Sequence, residues 1–177
     1  MRQPITAARV EEFMSALGSG ASDPARVFLV GGASAVLLGW RESTIDIDLK
    51  IIPERDELLR QFSVLKDRLE INLELASPDD FIPELPGWED RSQFVCQVGR
   101  ITFLHYDFYA QALAKIERGH DSDQRDVQEM IRNSLVDPNR LLEMFSRIVG
   151  ELHRYPALDA ASFRRSVEAI VNQSRKV

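Results

Sequence analysis

The chain has one cysteine, no long apolar run and fewer positive than negative charges, and each shortage removes a class of protein. A lone Cys96 cannot build an internal disulfide framework and fits a reducing compartment, so the expected location is the cytoplasm. No stretch approaches the roughly 20 apolar residues that a membrane-spanning helix needs. Met1-Arg2-Gln3-Pro4 leads into a mixed amphipathic segment rather than the apolar core of a signal peptide. Acidic residues outnumber basic ones 28 to 22, for a net charge of −6. That balance argues against a general duplex-DNA surface, whose affinity comes from basic side chains releasing counterions. A local basic pocket for a nucleotide or an RNA end stays open. His105, His120 and His153 are scattered, with no His-Glu-x-x-His and no Cys-x-x-Cys, so the common zinc sites are missing. A serine-hydrolase elbow, Gly-x-Ser-x-Gly, is missing too. Cys96, in an apolar strand between Val95 and Val98, reads as a packed small hydrophobe.

What is present is enough apolar sequence for one buried core in 177 residues. Val10, Phe13, Met14 and Leu17 recur at helical spacing and predict a helix that Gly18-Ser19-Gly20 ends. Val27-Phe28-Leu29-Val30 is a short β-rich run suited to a strand buried on both faces. Gly31-Gly32 follows it directly, then a short helix from Ala33 that Gly39 closes. Thr44 to Ile52 alternates, with Ile45, Ile47, Leu49 and Ile51 on one face and Thr44, Asp46, Asp48 and Lys50 on the other. Pro53 stops this strand, and Leu58, Leu59, Phe62 and Leu65 stripe the next helix. Glu70 to Leu75 alternates again, with Ile71, Leu73 and Leu75 inward and Asn72 and Glu74 opposite. Pro78, Pro83, Pro86 and Gly87 make residues 76 to 92 an irregular loop, and Gly99-Arg100 joins two strands as a hairpin. From Phe108 the pattern is helical, with a long helix expected from Asp137-Pro138 through Leu152 and a last one carrying Phe163, Val167, Ile170 and Val171. The fold class is α+β, or mixed α/β: a mixed sheet flanked by helices, with a helical C-terminal tail. A division into 1–136 and a helical extension 137–177 is expected.

Residues i and i+2 of a strand project from one face, roughly 6 to 7 Å apart. Asp46 and Asp48 are such a pair, and two like charges so placed suit a hard divalent cation such as Mg²⁺ or Mn²⁺. An Asp-x-Asp alone describes the wet face of a half-buried strand equally well. A buried strand running into Gly31-Gly32 and a helix allows backbone N–H groups to approach a phosphate, with the Ser34 hydroxyl as a further donor. A plain strand-to-helix turn would look the same. Neither a dinucleotide fingerprint nor a P-loop is present.

In combination, Val30-Gly-Gly-Ala-Ser-Ala-Val-Leu-Leu-Gly39 followed by Arg41-Glu-Ser-Thr-Ile-Asp-Ile-Asp48 resembles the nucleotidyltransferase superfamily related to DNA polymerase beta. It looks most like the small bacterial branch of abortive-infection and toxin–antitoxin nucleotidyltransferases. The resemblance implies that Gly31, Gly32 and Ser34 hold a nucleoside triphosphate and that Asp46 and Asp48 bind two metal ions. Glu74 is the match for a third carboxylate. Leu113-Ala-Lys-Ile-Glu-Arg-Gly-His-Asp-Ser-Asp-Gln-Arg-Asp126 continues the likeness. It implies that Lys115, with Arg118, offsets triphosphate charge and that Asp123 and Asp126 orient them, although acids in a helix's first turn need no such role. Arg41 and Thr44, before the metal strand, are candidate phosphate contacts. The implied activity is metal-dependent transfer of a nucleotidyl group from an NTP to an RNA or protein hydroxyl, including as the toxin partner of an antitoxin. The alternative is a catalytically inactive relative that binds a nucleotide or a partner.

Overall fold

Ile47, Leu49 and Ile51 are fully buried while Asp46, Asp48, Lys50 and Ile52 between them are half-buried, so β2 (Asp46–Ile52) has the two-faced character that its alternation predicts. The computed structural model describes residues 4–174 and is mixed α+β. Five strands form one sheet in the order β3-β2-β1-β5-β4, with β1 (Ala25–Val30), β3 (Asn72–Leu75), β4 (Gln93–Val98) and β5 (Ile101–His105) around β2. β1 runs antiparallel to β2 and parallel to β5, β3 runs parallel to β2, and β4–β5 is the antiparallel hairpin turned by Gly99-Arg100.

The chain divides into two compact units. The first takes the residues up to Ser77 and Ser92–Tyr106; the second takes Pro78–Arg91 and the residues from Asp107 onward. The described residues from Asp107 onward fall in one unit, those of the expected C-terminal extension among them.

In the first unit, α1 (Ala7–Gly20) and α3 (Asp56–Arg68) cover the apolar face of the sheet. Phe13, Leu17, Leu29, Leu49, Phe62 and Phe103 share one core, in which Phe13 and Phe62 meet edge to face at 6.4 Å. Each such side chain, fully buried, contributes about 1.5–3 kcal/mol. Helix α1 continues through Gly18 instead of stopping there. Its hydrogen-only side lets β4 lie close, since a Cβ at Gly18 would fall 2.5 Å from Val98 Cβ. β2 begins at Asp46, two residues later than the alternation suggests, because Thr44 is taken into an isolated bridge with Ile5. Leu75, expected inward, is 45% exposed as the last residue of an edge strand.

In the second unit, residues expected to be wholly irregular contain a short 3₁₀ turn, Pro78–Asp80, and α4 (Trp88–Arg91). Asp107 caps α5 (Phe108–Arg118) through Tyr109 N and receives both Nε and Nη2 of Arg91, at 3.1 and 2.7 Å. Gly119, at φ 73°, ends α5 before α6 (Asp121–Arg132). Asp137 caps α7 (Pro138–Ile148), accepting from Arg140 N. The long helix expected through Leu152 changes to a 3₁₀ segment, Val149–Arg154, at a stretch containing Gly150. Phe145 of α7 and Phe163 of α8 (Ala160–Ser174) stack edge to face at 4.9 Å. Among the described residues no helix is long and apolar enough to cross a membrane.

Candidate active site

The polar face of β2 presents Asp46 and Asp48, and the parallel neighbour β3 sets Asn72 opposite Asp46 and Glu74 opposite Asp48. One carboxylate oxygen from each of Asp46, Asp48 and Glu74 lies within 4.8 Å of the other two. Asp46 and Asp48 are half-buried and Glu74 is exposed. Asn72 Nδ2 donates to Glu74 Oε1 at 3.0 Å and so steers that carboxylate. Three hard oxygen donors converging at this spacing fit a divalent cation, and Mg²⁺ suits one or two carboxylates plus phosphate oxygens.

On the other side of Asp48 is β1, with Val30 its register partner, and the chain turns sharply at Gly31 into α2 (Gly32–Leu37). Gly31 has φ 58° and ψ −121°, a conformation that side chains resist. A Cβ there would stand 3.5 Å from Asp48 Oδ2, so bare backbone abuts the acidic site. Gly32 is held differently. A Cβ on it would fall 2.0 Å from Thr44 Oγ1, which means that Thr44 occupies the space a side chain would use. Thr44 is buried, and its backbone exchanges two hydrogen bonds with Ile5.

Ser34 is fully buried. Its Oγ lies 3.2 Å from the Leu29 carbonyl, to which it can donate, and 2.9 Å from His105 Nδ1. If the hydroxyl proton goes to Leu29, the imidazole must carry its proton on Nδ1 and donate to Ser34. Burial lowers the His105 pKa to about 4, so the ring is neutral near pH 7. Its place is fixed by β5, where His105 is the register partner of Leu29. His105 was not picked out as a site residue from the sequence. The signal was nonetheless there, because Ile101, Phe103 and His105 share the inward side of an alternating strand. Arg41 is half-buried in the segment between α2 and β2, with its backbone N–H on Ala35 O at 3.3 Å.

The remaining candidates gather in the second unit. Lys115 Nζ lies 3.1 Å from Asp123 Oδ1 and 2.7 Å from Asp126 Oδ2, and all three side chains are buried. Arg118 closes on Asp123 with two bonds, Nε to Oδ2 at 2.7 Å and Nη2 to Oδ1 at 2.6 Å. Burial alone would push the Asp123 carboxyl up, but hydrogen bonds and charges from Arg118 and Lys115 together outweigh it and hold the group below the usual carboxylate range. Two cations thus face two carboxylates in a locally neutral cluster. Geometry therefore joins Asp46, Asp48, Glu74 and the Gly31 turn in one unit, and Lys115, Arg118, Asp123 and Asp126 in the other.

A family model described as a nucleotidyltransferase of unknown function matches residues 7–172. No curated protein and no solved structure matches the chain.

Proposed function

The chain belongs to this nucleotidyltransferase family, and we propose that it transfers a nucleotidyl group from an NTP to a hydroxyl of an RNA or protein acceptor, with a divalent cation held by Asp46, Asp48 and Glu74. The observation that carries the reading is the convergence of those three carboxylates beside the backbone of Gly31. A bound Mg²⁺ or Mn²⁺ would offset triphosphate charge and lower the pKa of an attacking hydroxyl.

The chain's own residues then have distinct tasks. Asp46 and Asp48 supply fixed negative charge from a strand whose opposite face is locked in the core, so their spacing costs little to maintain. Glu74, the exposed member, is placed to accept a proton from the acceptor or to complete the cation's shell. Gly31 and Gly32 offer backbone to the triphosphate, and Arg41 offers a guanidinium. In this proposal Ser34 and Thr44 serve the nucleotide from behind, by holding the turn in place. Lys115 and Arg118 carry the charge that Asp123 and Asp126 meet within their own unit. The biological setting we favour is a bacterial toxin held in check by an antitoxin, read out as growth arrest on expression that a neighbouring gene product relieves.

The test is magnesium-dependent incorporation of label from an α-labelled NTP into total RNA or total protein. Wild type should label an acceptor, and Asp46→Asn with Asp48→Asn should lose at least 100-fold of that rate. Equal labelling by the double variant would remove the assignment. Tight nucleotide binding with no transfer to any acceptor would identify a non-catalytic relative instead.

A further inference from the structure

Behind the glycine turn, three elements of the first unit meet at one buried point. Leu29, near the end of β1, is the register partner of His105 at the end of β5, and its carbonyl accepts from Tyr106 N at 2.9 Å. Ser34, in the first turn of α2, reaches the same carbonyl with Oγ at 3.2 Å and meets His105 Nδ1 at 2.9 Å. Only Val30, Gly31, Gly32 and Ala33 separate Leu29 from Ser34. The turn is thus closed across its base by a junction whose third member, His105, comes from a remote part of the chain. Ala35 N adds a bond to Gly31 O at 3.1 Å just beyond it.

The Ser34 hydroxyl is not placed to serve a ligand directly. It is fully buried, and in either tautomer of His105 its proton is directed at Leu29 O or at Nδ1. An apolar side chain could fill the place of His105 without desolvating a ring nitrogen. What the imidazole adds is direction, because a hydrogen bond to Ser34 fixes the start of α2 relative to β5. Gly31, three residues before Ser34, stands at φ 58° and ψ −121° with its backbone against Asp48 Oδ2. A small rotation of the turn would therefore move its amides relative to the acidic site, and small misplacements of binding groups are costly.

We propose that His105 is a positioning residue for the nucleotide: acting through Ser34, it sets the Gly31-Gly32 backbone in the orientation that meets the triphosphate. This rests on the reading that a nucleoside triphosphate lies against Gly31 and Gly32, and not on any transfer step.

The experiment is calorimetric titration of the full chain with ATP, GTP, CTP and UTP, each with Mg²⁺, beside thermal unfolding of every variant. Wild type should bind at least one triphosphate at sub-millimolar concentration. His105→Phe keeps a ring but removes both nitrogens, and should weaken that binding about 3- to 10-fold, the worth of one hydrogen bond. His105→Asn sets an amide atom near the place of Nδ1, able to donate or accept, and should recover most of the affinity. Its smaller side chain leaves a cavity, so its thermal midpoint should fall below that of His105→Phe. Affinity and stability then rank the two variants in opposite order, which a merely structural role would not produce. Ser34→Ala should weaken binding as His105→Phe does, and the two together should be no worse than either alone. The proposal is overturned if His105→Phe binds like wild type, if affinity simply follows the thermal midpoint, or if the Ser34 and His105 effects add. Binding without transfer would remove the transfer reaction and leave the role of His105 standing; no binding of any triphosphate removes both.

Discussion

Asp48 and Glu74 stand directly opposite each other across the parallel strands β2 and β3, with Asp46 completing a cluster of carboxylate oxygens within 4.8 Å. Like charges this close raise the free energy of the folded state unless a cation intervenes, and a ligand that binds only the folded state stabilises it by mass action. Stability should therefore rise with Mg²⁺ or Mn²⁺, by about 3 kcal/mol at roughly a hundred times Kd, and fall on chelation. Thermal unfolding with and without the ion checks this. Asp48→Asn should abolish the difference and Glu74→Gln should reduce it; a wild-type transition indifferent to both ions would count against cation binding.

Gly32 and Thr44 interlock, with 2.0 Å between the position of a Cβ and Thr44 Oγ1. Gly32→Ala should destabilise the chain by about 2 kcal/mol, within the range for overpacking a filled interior. Thr44→Gly in the same chain should recover part of the loss, because it removes the atoms in the way. A double-mutant cycle by urea denaturation measures the coupling, and additive single effects would show that the two positions do not touch in solution.

His105 sets a pH dependence. Its folded pKa is about 4, below the usual 6.5, so the unfolded chain binds the extra proton first. Its contribution is whole above about pH 6.5 and falls as pH drops toward 4, by up to about 3 kcal/mol. Asp123 acts in the same direction, because a depressed carboxyl loses its contribution as pH falls through the folded pKa. Urea midpoints should decline between pH 6.5 and 4, and His105→Gln should flatten that decline while lowering stability at pH 7.

Lys115 is buried between Asp123 and Asp126. Lys115→Met leaves Asp126 without its 2.7 Å partner and should cost about 3–5 kcal/mol, the usual penalty for breaking a buried ion pair from one side. Lys115→Met with Asp126→Asn should be less damaging than the single change. Denaturation curves decide it; a single variant as stable as wild type would mean that the cluster is solvated.

Much of this site could be read from residue order. The alternation from Asp46 to Ile51 set Asp46 and Asp48 on the polar face, while Ile45, expected on the apolar face, is 82% exposed just before the strand; the glycine pair after an apolar strand marked the turn beside them. Glu74 was found the same way, as an acid on the polar side of the next alternating segment. Less could be read for Ser34 and Thr44, which looked like phosphate contacts. Both are buried: Ser34 lies against His105, 71 residues away, and Thr44 fills the space that a side chain on Gly32 would take. Helix ends were also hard to read where packing overrode local preference, as at Gly18, which stays helical against Val98.

Sequence by itself determined which side chains share a face, because side-chain direction in a strand follows from a period of two and needs no partner. It therefore determined the Asp46–Asp48 pair and the class of cation that could suit it. Tertiary structure alone decided that β3 pairs parallel with β2, which brings Glu74 beside Asp48. It decided as well that Ser34 meets His105, 71 residues away. Those relationships depend on strand order and register, which are set by how the core closes and not by any local run of residues.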